Sequence, residues 1–89
     1  MHELALTREI VSIALEHAGG RKVHRVKVSV GELAAVVPDS IRFCFEACTR
    51  GTALERAALE LEVVAGRDVR VVELGLASSP LAERGGPGG

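Results

Sequence analysis

VHRVKVSV, residues 23–30, is the stretch whose reading decides the fold. Val26, Val28 and Val30 alternate with Arg25, Lys27 and Ser29, and a period of two puts successive side chains on opposite faces of a strand. A strand that is apolar on one face and charged on the other belongs to a sheet with one covered and one solvated side. The flanking residues supply the cover. Upstream, Leu6, Ile10, Ile13, Ala14 and Ala18 recur at helical spacing with Arg8, Glu9, Ser12 and Glu16 between them, which predicts an amphipathic helix over residues 3–18. Gly19 and Gly20 then mark its end, since glycine best takes the left-handed conformation that closes a helix. Downstream of Gly31, a short apolar connection over residues 33–37 leads to Pro38, whose fixed φ and missing N–H suit a first helical turn. Asp39 is favourable at the positive end of that second helix. Its apolar stripe is Ile41, Cys44, Phe45 and Cys48, and Gly51 is placed to cap it.

Alternation returns at residues 58–64, where Leu59, Leu61 and Val63 oppose Glu60 and Glu62, and at residues 68–76, where Val72, Leu74 and Leu76 share one parity. The residues between, Ala65, Gly66 and Arg67, are too few for a crossover, so the expectation is an antiparallel hairpin of these two strands. The fold class that follows is a two-layer α/β domain of order α-β-α-β-β over residues 1–77, with two helices packed on one face of a three-stranded sheet. Residues 78–89, SSPLAERGGPGG, carry glycine and proline without apolar periodicity and are expected to be a disordered tail.

Composition narrows the function. A chain of 89 residues with 47% hydrophobic content builds one small core, which excludes a multidomain enzyme. Eleven basic against twelve acidic residues leave a net charge of −1, and the aromatics are Phe43 and Phe45 alone, so neither a phosphate backbone nor a stacked base is a fitting partner. No run approaches the roughly 20 apolar residues of a membrane span, and Glu3 and Glu9 stand where a signal peptide would be basic. Two cysteines are too few for a disulfide scaffold or a four-cysteine zinc site, which points to the cytoplasm. Stability is expected to be modest unless a partner covers the remaining apolar surface.

His2 is the residue with the most chemistry. Beside a free α-amine it offers three nitrogens, the amine, its own amide and imidazole Nδ1, which close a five- and a six-membered chelate ring. Its bulk favours retention of Met1. A deprotonated amide or the carboxylate of Glu3 completes a four-coordinate set, and a planar nitrogen-rich set favours Ni(II) or Cu(II) over Zn(II). The alternative reading is an ordinary histidine at a frayed terminus. Cys44 and Cys48, one helical turn apart, read as small core hydrophobes before they read as soft metal ligands. His17 suits the end of the first helix, His24 a strand edge or face, and Glu32 a turn. No Ser/His/Asp or Cys/His arrangement and no glycine-rich phosphate loop occurs, so an enzyme finds no support.

Met1-His2-Glu3-Leu4, Val30-Gly31-Glu32-Leu33 and Arg42-Phe43-Cys44-Phe45-Glu46 leading to Thr49-Arg50-Gly51-Thr52 resemble the HypA/HybF family in the right order. The resemblance runs from residue 1 to about 64 and resumes near 68–76. It implies a nickel metallochaperone that holds Ni(II) at Met1, His2 and Glu3. With a HypB-like GTPase, such a protein passes the metal to the large subunit of a [NiFe]-hydrogenase. It also implies a structural zinc held by two Cys-x-x-Cys pairs between the second and third strands, but residues 66–68 occupy that place and the chain contains no such pair. Three readings follow: a nickel-binding chaperone domain, a metal-free adaptor that docks the GTPase or a hydrogenase subunit, and, compatible with both, a homodimer formed by strand exchange at the short link. Acid should weaken nickel binding, because the amine and imidazole bind metal only when deprotonated.

Overall fold

The computed structural model describes residues 2–77. The elements follow in the expected order: α1 (His2–Ala18), β1 (Val23–Gly31), α2 (Pro38–Thr49), β2 (Ala58–Val64) and β3 (Val69–Leu76). Residues 78–89, expected to be a disordered tail, lie outside the described residues.

β1 occupies the middle of the sheet, in the order β2-β1-β3. Its valines explain the position: Val23, Val26 and Val28 are wholly buried and Val30 nearly so, and a central strand is the one whose neighbours shield it on both sides. Ile10, Val11, Ala14 and Ala18 of α1 and Phe45 of α2 close over these valines in one core. Both helices therefore cover the same face, as the alternation of residues 23–30 requires. On the other face Arg25 bridges the two outer strands, its guanidinium donating to Glu60 and to Glu73 at 2.9 Å each. Glu73 first, and Glu60 with it, hold the Arg25 pKa above its usual value. Lys27 adds a looser pair with Glu62 at 3.7 Å.

The expected hairpin is corrected by this arrangement. β2 pairs with β1 in parallel, Val26 opposite Leu59 and Val28 opposite Leu61, with α2 as the crossover between them. β3 pairs with β1 antiparallel on the other side. β2 and β3 do run in opposite directions, but they are not neighbours, and residues 65–68 pass over the end of β1. Two strand spacings are only about 10 Å, a distance that a link of this length spans easily. The valines of β1 outcompete direct pairing of two half-exposed strands.

The crossing is fastened by backbone. Gly31 N–H donates to Asp68 O, Glu32 N–H to Val64 O and Leu33 N–H to Gly66 O, each at 2.8 Å. Gly31 has to be glycine here, since a Cβ would stand 2.5 Å from the Gly66 carbonyl oxygen.

Two parities also differ from expectation. In β3 the register shifts between Lys27 opposite Glu73 and Val28 opposite Val71, which leaves Val72 as the extra residue of a bulge. Val72 is accordingly 51% exposed, while Val69 and Val71 before it and Leu74 and Leu76 after it pack on the core. In α1 the covered stripe is Thr7, Ile10, Val11, Ala14 and Ala18, and Ile13, expected inside, lies at the rim. Val63 is likewise exposed near the end of β2.

Candidate metal site

α1 begins at His2, so His2 and Glu3 occupy its first turn, whose N–H groups meet no backbone carbonyl of the helix. Met1 lies outside the described residues. The His2 imidazole is exposed and its Nε2 stands 3.9 Å from Glu3 Oε2. Glu3 is held far more firmly. Thr7, fully buried, donates its hydroxyl to the Glu3 carbonyl oxygen at 2.6 Å. The Glu3 carboxylate accepts the Val37 N–H at 3.2 Å, and its side chain is only 14% exposed.

Val37 is the N-cap of α2 and makes no side-chain cap of its own. A glutamate that bonds the N-cap N–H normally comes from the third residue of the same helix; here it comes from α1, 34 residues earlier. The Val37 N–H holds the Glu3 carboxyl below its usual pKa, against the opposing effect of partial burial, and the Glu3 backbone N–H and neighbouring His2 act in the same direction as Val37. Beside this contact lies an open hollow of about 350 Å³ lined by Glu3, Leu4, Asp39, Ser40, Phe43 and Cys44. Phe43 is 75% exposed at its wall.

Of the other singled-out residues, Cys44 reaches this place and the rest do not. Cys44 and Cys48 are half-buried free thiols; Cys48 packs on the core, as its place in the stripe suggested, and Cys44 reaches the hollow. His17 Nδ1 lies 2.9 Å from the Ile13 carbonyl oxygen of its own helix. His24 sits at a register shift of β1, its imidazole against Gly75. Glu32 spends its backbone N–H on the strand crossing. Among the described residues no group of three or more His, Cys, Asp or Glu side chains is arranged to hold a metal ion. The structural zinc implied by the resemblance does not fit this chain: its two thiols lie on α2, and the place of the cysteine pairs is the four-residue crossing.

The reading of the sequence missed the Glu3–Val37 contact, although one signal was present. A helix that opens Val-Pro-Asp has no Ser, Thr, Asp or Asn at its N-cap, so its donor must be met from another element.

A family profile described as hydrogenase/urease nickel incorporation, metallochaperone, hypA, matches residues 1–70. The hydrogenase maturation factor HypA of Geobacter sp. (strain M21) is 54% identical over 66 residues, 74% of this chain and 60% of that protein. The factor of the same name from Nostoc punctiforme is 53% identical over 66 residues, 74% of this chain and 58% of that protein. The chain thus spans about three-fifths of the length of these relatives. Its fold is similar to the solution structure of the Ni metallochaperone HypA from Helicobacter pylori, with a TM-score of 0.63 at 17% identity over 85% of this chain and 93% of that one.

Proposed function

The chain belongs to the HypA family, and from that premise we propose that it is a nickel carrier that binds Ni(II) through Met1, His2 and Glu3 for insertion into a [NiFe]-hydrogenase. The metal is cargo, and its binding releases the protons of the His2 and Glu3 amides to solvent. The observation that carries this reading is the state of Glu3. Its carboxylate accepts the Val37 N–H, which favours the Glu3 amide over that carboxylate as the fourth donor beside the Met1 amine and the His2 amide and imidazole.

Electrostatics favour that choice. A bare cation at a helix N-terminus opposes the dipole, whereas deprotonated amides are anions at its positive end and offset the charge of the metal. A set of four nitrogens suits a planar Ni(II) ion.

The test is a Ni(II) titration of untagged protein at neutral pH, followed in the absorbance of square-planar nickel. We expect one equivalent to bind, and both N-terminal acetylation and His2→Ala to abolish the signal. Undiminished binding by the acetylated protein would overturn the ligand set.

A second reading, the metal-free adaptor, draws on the surface beside the site. Leu4 is 38%, Val37 54% and Phe43 75% exposed, an apolar group suited to a protein partner. We assign the same partners in either case, a HypB-like GTPase and the hydrogenase large subunit, in the cytoplasm. Binding of either partner undiminished by His2→Ala would favour the adaptor. No helix among the described residues is long and apolar enough to cross a membrane. A homodimer by strand exchange would hinge at residues 65–68 and would have to peel that link from Gly31 and Leu33.

A further inference from the structure

We infer that Glu3 is a positioning residue whose carboxylate, by capping α2 at Val37, couples nickel occupancy at the N-terminus to the order of the α2 N-terminus. This rests on the nickel reading above and adds a regulation to it.

The donors proposed on His2 and Glu3 belong to the first turn of α1, where a chain otherwise frays. Thr7 donates to the Glu3 carbonyl at 2.6 Å, within α1, and the Glu3 carboxylate accepts the Val37 N–H at 3.2 Å, across to α2. The second contact joins the proposed metal stretch to another element. It also meets a need of α2, whose N-cap is a valine with no capping side chain, followed by a proline with no N–H to offer. One carboxylate therefore serves both ends, holding the turn that presents the amides and completing the turn that begins α2.

Coupling of this kind is reciprocal. If the Glu3–Val37 contact favours metal binding, metal binding favours the contact by the same factor. A loaded protein then differs from an empty one at Val37 and at the adjoining first turns of α2, where Asp39, Ser40 and the exposed Phe43 line the 350 Å³ hollow. That surface gives a partner a means to distinguish loaded from empty protein without touching the metal.

The experiment uses the untagged full chain with Ni(II) alone. Glu3→Ala removes the acceptor; Glu3→Gln keeps an oxygen that accepts the Val37 N–H; Val37→Pro removes the donor and leaves every proposed metal ligand in place. Val37 already lies in extended backbone at φ −101°. We expect Glu3→Ala and Val37→Pro to weaken nickel binding about tenfold and Glu3→Gln by less than about threefold. In the wild type, nickel should slow hydrogen exchange at the Val37 amide. A purely structural role would leave that exchange indifferent to the metal. Equal affinities in folded variants, or exchange at Val37 unchanged by saturating nickel, would overturn the coupling while the His2→Ala loss upheld the nickel site. Absence of binding by the wild type would overturn both. Should either variant fail to fold, the exchange measurement on the wild type decides alone.

Discussion

Glu3 shows how one side chain takes its meaning from a residue far away in the sequence. Read locally, it is a metal-binding candidate with two donors, an amide and a carboxylate; in the fold the carboxylate is committed to Val37. The commitment has a pH signature. The Val37 N–H lowers the folded-state pKa of Glu3, so its contribution to stability is fully present above the unfolded value of about 4.3 and is lost as pH falls through the lower folded value. Urea unfolding of the wild type and of Glu3→Gln, which does not titrate, should show a stability difference that is constant from pH 7 to about 5 and shrinks below about 4. A difference unchanged down to pH 3 would mean that the carboxylate is not held in its charged form by this contact. His2, in contrast, keeps its exposed imidazole 3.9 Å from that carboxylate, close enough to be steered and loose enough to turn toward a metal.

At the scale of elements, much was legible because each element carries its own period and punctuation. The alternation of residues 23–30, the glycine pair after Ala18 and Pro38 ahead of an apolar stripe each mark a boundary that recurs in the structure within a residue or so. Neighbours across the sheet were not legible. A four-residue link fixes the relative direction of β2 and β3 but not whether another strand lies between them, and that choice is made by the burial of the β1 valines. The bulge at Val72 escaped for a similar reason: an inserted residue reverses parity midway, and a strand read from either end alone looks regular. The proposed metal stretch stood out by its residue types, and the contact of Glu3 with α2 did not. Gly31 tests the crossing. An added Cβ meets backbone atoms of Gly66 and Arg67 within 2.7 Å, and backbone yields less readily than a side-chain tip. Gly31→Ala should therefore destabilise by about 1–3 kcal/mol in urea unfolding, as overpacking does. A variant as stable as the wild type would show that residues 65–68 lift away from β1 at no cost.

Across the whole molecule, the crossing at residues 65–68 is the point where the fold should tolerate added chain. The core of β1, α1 and α2 lies on the covered face of the sheet, and the link is fastened at the end of β1 by backbone hydrogen bonds to Gly31 and Leu33. The proposed metal stretch is anchored elsewhere, through Glu3 at the start of α2. An insertion between Gly66 and Arg67 should therefore separate stability from nickel binding. Lengthening a flexible loop from about 4 to about 24 residues costs about 1.6 kcal/mol in closure entropy, and at about 4–8 °C per kcal/mol for a domain of this size the melting temperature should fall by roughly 6–13 °C. The protein with a Gly/Ser insertion should still fold cooperatively and bind nickel with the affinity of the parent at a temperature where both are folded. Loss of binding in a folded insertion variant would mean that the strand crossing and the N-terminus communicate through the sheet, and the anchoring of the metal stretch on α2 alone would have to be abandoned.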